Sequence, residues 1–230
     1  MFYGFGFDKR NQVFKLAVFV FGLDDDNVKK LIFTLGGVDS GWRSILCSIP
    51  CMMRYAFGSI SNVYVDGCLH WITGNTMPNS TDCTMIIMSF NLSDEAFGVI
   101  RTPELLVVDQ DIFCMQVNYR LAVLDNCLCW VDSENKKHTN IWIKKGGESW
   151  TKSFCLKKSV IPVFGPVTPI KFEHNDHLFL QNPNAVVCYN VQDNTVRSFD
   201  VNEDRQGISQ AEVFPFVGSF HFNQLPLRVE

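Results

Sequence analysis

The sequence is poor in charge and has no long apolar run. Charged residues make up 19% of it and its formal charge is only −4, against a charged fraction of about 25% in an average soluble chain. A chain without a basic excess offers no extended surface to phosphate backbones, because nucleic-acid affinity rests on Lys and Arg releasing condensed counterions. The basic run expected at an anionic membrane is missing too. The most apolar stretch near the N-terminus, Phe14 to Phe21, is broken by Lys15 and is much shorter than the ~20 residues of a membrane helix. No basic n-region precedes it. The expectation is a soluble, unsecreted protein that binds neither nucleic acid nor membrane.

Also absent are the spacings that carry chemistry. There is no Gly-x-Ser-x-Gly elbow, no phosphate loop, and no Cys-x-x-Cys or Cys2His2 zinc pattern. Cys127-x-Cys129 with His138, Cys68-x-His70 and His174-x-x-His177 are the nearest approaches to a metal site. Each reads better as core filling, since alternate residues of a strand share one face. His70 and His177 read as satisfied strand histidines and not as catalytic bases. Asp24-Asp-Asp26 lacks the spaced ligands and terminal Glu of a calcium loop and reads as a solvated turn. No metal and no cofactor are expected. The nine cysteines are an odd number, and Cys68, Cys127, Cys129, Cys155 and Cys188 lie inside apolar strand patterns. Buried free cysteine behaves as a small hydrophobe, so the usage suits a reducing cytoplasm or nucleus better than a disulfide scaffold. Asn79-Ser-Thr81 and Asn91-Leu-Ser93 match the glycosylation sequon, which has no meaning in such a compartment.

What the chain does have is a motif written twice. Val65-Asp-Gly-Cys-Leu-His-Trp71 and Leu124-Asp-Asn-Cys-Leu-Cys-Trp130 each place a two-residue turn between apolar, alternating segments, the mark of a tight hairpin. A fainter copy, His174-Asn-Asp-His-Leu-Phe-Leu180, predicts a third hairpin with an Asn-Asp turn. The second halves repeat as well: Met88 to Ile100 aligns without a gap on Val187 to Phe199, and Ser40-Gly-Trp-Arg43 parallels Glu148-Ser-Trp-Thr151. The spacing of about fifty residues is the kelch-type period. A lone hairpin cannot bury its own face, so the pattern predicts four-stranded units that cover one another.

The fold expected is therefore all-β: a single domain over residues 1–230, a kelch-like β-propeller with about four blades. The blades run approximately over residues 2–48, 62–102, 119–156 and 167–201. A spare closing strand at Ala211 to Phe222 and a start directly in a strand at Phe2 point to a ring incomplete at its N-terminal end. Pro103 to Gln116 has room for a short turn of helix. Trp42, Trp71, Trp130 and Trp150 recur at blade positions and are expected to pack, since a sugar-stacking platform needs them on one exposed loop.

Tyr3-Gly-Phe-Gly-Phe-Asp8, Val13-Phe-Lys-Leu16, Ser40-Gly-Trp-Arg43, Val65-Asp-Gly-Cys-Leu-His-Trp71, Ile87-Met-Ser-Phe-Asn-Leu92, Leu121-Ala-Val-Leu-Asp125, Ile141-Trp-Ile-Lys144, Glu148-Ser-Trp-Thr-Lys152 and Val187-Cys-Tyr-Asn190 fall in one order along nearly the whole chain. In that order they resemble the F-box-associated domain of plant F-box proteins. The resemblance implies a propeller that recognises a protein substrate for an SCF-type ubiquitin ligase. It also implies a Skp-type adaptor and a cullin as partners, reached only through an F-box that has no counterpart before Tyr3. One or two blades' worth of strands that precede the Gly-Phe-Gly-Phe motif in that family are likewise expected to lie outside this sequence.

In a blade, the connections between second and third strands share one face with those between blades. The long segments Ile49 to Ser61, Gly74 to Cys83, Pro103 to Asn118, Ser133 to His138 and Lys157 to Pro169 therefore collect on a single rim. Met, aromatic and Arg side chains are enriched at protein interfaces. The candidate partner-binding residues are accordingly Met52, Met53, Arg54, Tyr55, Met77, Phe113 and Met115; the alternative is that single apolar side chains there merely plug the loops onto the blades. The leading reading is a non-enzymatic recognition module. A propeller-scaffold enzyme, a glycan-binding protein and a non-functional truncated fragment remain as alternatives.

Overall fold

The computed structural model describes residues 1–21, 28–36, 40–49, 62–76, 83–104, 107–108, 118–146, 149–161, 167–173, 176–182 and 185–200. All seventeen elements of these residues are strands. The first sheet is β1 (Phe2–Asp8), β2 (Val13–Phe21), β3 (Val28–Leu35) and β4 (Gly41–Ser44). The second is β5 (Asn62–Val65), β6 (Cys68–Thr76), β7 (Cys83–Asn91) and β8 (Ala96–Arg101), with a two-residue strand β9 (Val107–Val108) paired to β7. The third is β10 (Tyr119–Leu124), β11 (Cys127–Asp132), β12 (His138–Lys144) and β13 (Thr151–Lys157). The fourth is β14 (Thr168–Glu173), β15 (His177–Gln181), β16 (Ala185–Asn190) and β17 (Val196–Asp200). Strands follow chain order in each sheet and all pairings are antiparallel, giving four meanders. Of 103–116 the structure describes 103–104 and β9 at 107–108; the rest of the stretch in which a short helical turn was expected, and the closing strand expected at 211–222, lie outside the described residues.

Turn chemistry sets the reversals. Asp66 and Gly67 have φ of 49° and 83°, and Asp125 and Asn126 have 49° and 58°. Two consecutive positive φ values make a type I′ turn, whose twist matches that of the flanking strands. The third copy differs from expectation. Glu173 pairs with His177, so three residues intervene, and only Asp176, at φ 61°, is described within that loop. A left-handed residue ends such three-residue loops, where the two-residue type demands a pair of them.

A second turn type recurs at connections of four or five residues. Asn91 Oδ1 accepts from the amides of Ser93 and Asp94 at 2.8 and 2.9 Å, and Glu95 takes φ 52°. Asn190 Oδ1 accepts from those of Gln192 and Asp193, with Asn194 at φ 57°. Asp8 Oδ1 does the same for Arg10 and Asn11, with Gln12 at φ 55°. In each case a short carboxylate or amide side chain nucleates the turn and a left-handed residue four positions on returns the chain to the ladder.

The sheets stack face to face. Phe2, Ala17, Phe19 and Ile32 of the first pack on Leu69, Trp71, Met88 and Phe90 of the second. Val65, Met85 and Ile87 of the second pack on Tyr119, Leu121, Leu128 and Trp130 of the third. Leu124, Cys129, Val131 and Ile141 of the third pack on Leu178, Leu180, Val187 and Tyr189 of the fourth. The period of two in a strand lets one sheet feed two cores: in β6, Trp71 faces back to the first sheet and Ile72 forward to the third. The innermost strands touch in sequence, β1 with β5, β5 with β10 and β10 with β14. Among the described residues, β14 and β1 do not pack on each other in that way, and the arrangement is propeller-like without closure.

Trp71 and Trp130 are fully buried against the preceding sheet, as expected. Half-buried Trp150 also reaches back, donating its indole N–H to Arg101 O at 2.8 Å. Trp42, by contrast, is 57% exposed. Its position is equivalent, but the first sheet has no preceding sheet among the described residues. For the same reason Tyr3, Phe5 and Phe14 are exposed on that face, Phe5 and Phe14 stacking on each other at 5.4 Å. Cys155 is exposed as well, contrary to the core role read from its strand pattern, whereas Cys129 and Cys188 are buried.

Candidate partner-binding face

Because every sheet is a meander, its first-to-second and third-to-fourth turns lie at one end, and its second-to-third loops and the connections between sheets lie at the other. The turn end is occupied by its own charges. Lys15 Nζ lies 2.7 Å from Asp8 Oδ2, 2.8 Å from Glu95 Oε1 and 2.7 Å from Leu92 O. Ser93 Oγ donates to Asp8 at 2.6 Å, and Arg43 pairs with Glu95. Outside this cluster, Lys9 pairs with Asp66 at 2.5 Å and Arg10 with Asp94 at 2.8 Å. Glu95, Ser93, Asp66 and Asp94 belong to the second sheet and their partners to the first, so the network ties two sheets together.

Asp8 is fully buried and Lys15 is 4% exposed. Burial by itself pushes the Asp8 carboxyl up, but hydrogen bonds from Lys15, Ser93 and Asn11 outweigh it and hold the group well below the usual carboxylate range. Glu95 is lowered in the same manner, its burial offset by Arg43 and Lys15. Single buried charges are costly. Here each is matched, so this end reads as a structural lock.

The loop end is where partner contact was expected. Met52, Met53, Arg54, Tyr55, Met77, Phe113 and Met115 all lie outside the described residues. What is described is their anchorage. The strand pair β6–β7 closes with Thr76 opposite Cys83, next to Met77, and β9 attaches to β7 at Cys83 and Thr84.

A feature that the sequence reading passed over is a cleft of about 490 Å³ at this end of the third sheet. Lys136, Lys137 and His138 line it from the β11–β12 loop, and Lys157, Lys158 and Ser159 from the exit of β13. Its rims are fixed to each other. Lys158 Nζ donates to Ser133 O at 2.5 Å and the Lys158 amide to Lys137 O at 2.9 Å. Asn135 Oδ1 in turn accepts from the amides of Lys137 and His138. The sequence signal was two Lys-Lys pairs in neighbouring long loops, but the candidates were limited to aromatic, Met and Arg side chains, and none of them comes from these two loops.

The candidate metal groups are not assembled. Cys129 pairs opposite Ile143, at the far end of β12 from His138. His70 is buried, and desolvation, partly countered by the Val63 and Cys68 backbones, pushes its imidazole down to about 4. His174 lies outside the described residues. Among the described residues no three His, Cys, Asp or Glu side chains gather as metal ligands, and Cys47, Cys68, Cys127, Cys129, Cys155 and Cys188 are free thiols.

Fold and loops together define a propeller-like repeat domain in which ion pairs lock the turn ends of the first two sheets and the opposite end carries the connecting segments. The sequence model of the F-box associated beta propeller domain matches residues 1–221, and the chain belongs to that family. Among curated proteins it is similar to three from Arabidopsis thaliana. F-box protein CPR1 is 24% identical over 178 residues, 69% of this chain and 41% of that protein. F-box protein At4g22390 is 25% identical, with the same two shares. F-box protein At1g52495 is 24% identical over 214 residues, 87% of this chain and 47% of that protein. The chain thus spans less than half the length of the curated relatives it matches. Among solved structures, the WD40 domain of SCAP from fission yeast aligns over 86% of this chain and 42% of its own, at 13% identity and a TM-score of 0.30. Superposition that loose carries no argument about blade arrangement.

Proposed function

We propose that this chain is the substrate-holding part of an SCF-type ubiquitin ligase, a non-enzymatic domain that binds a protein marked for ubiquitination and degradation. The observation that carries the reading is the F-box associated propeller match over residues 1–221, together with relatives that are themselves F-box proteins. The separation of a locked turn end from a loop end supports it, because rigid scaffolds present recognition residues on loops. Contact with a Skp-type adaptor and a cullin then belongs to an F-box module outside these 230 residues. Unpaired cysteines among the described residues, Cys155 exposed among them, support a cytoplasmic or nuclear setting.

The test is affinity capture from plant extract with the proteasome inhibited, using the chain and a variant with Met52, Met53, Arg54, Tyr55, Met77, Phe113 and Met115 changed to serine. Proteins retained by the native chain, lost by the variant and stabilised by proteasome inhibition are expected. Equal capture by both would remove these seven side chains as the recognition surface.

A further inference from the structure

We propose that the lysine-lined cleft of the third sheet docks an acidic peptide segment of the bound protein, a run of carboxylate or phosphorylated side chains. The proposal rests on the recognition role above and names the chemistry that one part of the loop end selects.

Charge is the first argument. The chain is acidic overall, with net charge −4, yet four lysines, a histidine and a serine hydroxyl converge on one cleft. Three lysines elsewhere are matched, Lys9 by Asp66, Lys15 by Asp8 and Glu95, and Lys171 by Glu173, and none of the exposed lysines described away from the cleft is gathered with three others. Among the described residues, Lys136, Lys137 and Lys157 pair with no carboxylate. Glu134, the nearest carboxylate along the loop, accepts from the Tyr119 hydroxyl at 2.6 Å. Cations gathered without counter-charge repel one another, and an anion set between them relieves that repulsion.

Pre-organisation is the second. The Asn135 and Lys158 hydrogen bonds fix both rims before anything binds, so little ordering is left to be done on association. Chemistry is the third. Lysine is a compact point charge with three rotatable donors, suited to clustered carboxylates or a phosphate group without the bidentate geometry that arginine imposes. No Leu, Ile, Val, Met, Phe, Tyr or Trp lines the cleft, so its apolar surface comes largely from lysine stems that end in charge. One cleft on an acidic chain is also too little for a nucleic-acid track, which needs a continuous basic stripe.

The experiment titrates the purified chain into fluorescein-labelled nine-residue peptides and reads anisotropy. One peptide carries three glutamates, one a single phosphoserine, and one only neutral residues. Both anionic peptides are expected to bind above the neutral one, with affinity falling as salt rises. The double variant Lys137→Glu/Lys157→Glu should weaken binding about tenfold. Lys137→Arg/Lys157→Arg should retain binding, and Lys29→Glu, an exposed charge change on β3, should leave it unaltered. Unchanged circular dichroism melts show that the variants fold. The tighter of the two anionic peptides identifies the source of charge. Equal affinity for the neutral peptide overturns the proposal, as does equal binding by Lys137→Glu/Lys157→Glu. Inorganic phosphate binding alone, or a single-stranded oligonucleotide that binds more tightly than either peptide, overturns it too. Peptide binding is measured without any ligase component, so its failure is distinguishable from failure of the capture experiment.

Discussion

Gly6 lies so close to Tyr64 that a Cβ on it would overlap the tyrosine ring, and would also come within 2.8 Å of Leu92 Cδ1. Retreat of the ring would break the hydrogen bond that the Tyr64 hydroxyl donates to Phe7 O at 2.8 Å. Trp71 and Asn62 reach the same strand, both donating to Tyr3 O, at 3.0 and 2.9 Å. The glycines of β1 therefore let a backbone, and not side chains, meet the second sheet.

Gly6→Ala is expected to destabilise the chain by about 1–3 kcal/mol, the usual range for overpacking. Gly4→Ala should cost less. The atoms nearest its Cβ would be the Leu69 methyls at 2.9 Å and Cγ at 3.3 Å, the branched end of one aliphatic side chain and not a ring. Urea unfolding midpoints of the two variants check the order, and a larger loss at Gly4 would contradict the close contact at Gly6.

Two tryptophans at blade positions should respond very unequally to truncation. Trp71 is fully buried beside Phe2 and Phe19, so Trp71→Ala should cost about 3–5 kcal/mol. Trp42, 57% exposed with Phe33 as its aromatic neighbour, should lose under about 1 kcal/mol when changed to alanine. Chemical denaturation of both variants at one pH decides this.

Lys15→Met should be among the most destabilising single changes, at about 3–5 kcal/mol, because it strands the buried Asp8 carboxylate without its cation. Pairing it with Asp8→Asn should recover part of the loss. A double-mutant cycle reads the coupling, and strictly additive losses would mean that the two groups do not depend on each other.

Acid should unfold the chain in two stages. His70 has its folded value lowered from 6.5 to about 4, so the folded state resists a proton that the unfolded chain accepts. Its contribution is whole above pH 6.5 and is lost as pH falls toward 4, on the order of 3 kcal/mol in all. Asp8 and Glu95 are also lowered, so their stability is present above the ordinary carboxylate range and is lost as pH falls through their folded values. Unfolding free energy measured from pH 7 to 2 should fall first through the histidine window and again below about 4. His70→Leu should flatten the upper stage alone, and Asp8→Asn the lower.

The polypeptide of residues 1–230 should not be retained on an immobilised Skp-type adaptor. Its family match as a propeller domain extends over residues 1–221. Capture at one-to-one stoichiometry, read by size-exclusion chromatography with light scattering, would place an adaptor contact within the propeller itself.

Much of the local structure could be read in the sequence because it depends on residues close together in the chain. Asp66-Gly67 and Asp125-Asn126 are turns since few other residues accept two positive φ values in succession. The gap-free repeat of Met88 to Ile100 on Val187 to Phe199 placed Asn91 and Asn190 at matching positions, and both nucleate the same turn. The partner-binding residues chosen for their side-chain type lie outside the described residues, and the basic cleft went unseen because its halves are some twenty residues apart in sequence.

By itself the sequence determined where strands run, where they reverse and which alternate positions are apolar, since these follow from allowed dihedrals and a period of two. It did not determine which apolar face is covered. Trp71 and Trp42 stand at recurring blade positions, yet one is sealed and the other bare, because only the first of them has a sheet lying against it. The pairing of Lys15 with Glu95 and the meeting of Lys137 with Lys158 were likewise settled by tertiary structure. Contacts between distant residues depend on how whole sheets are set against one another, and no local pattern encodes that geometry.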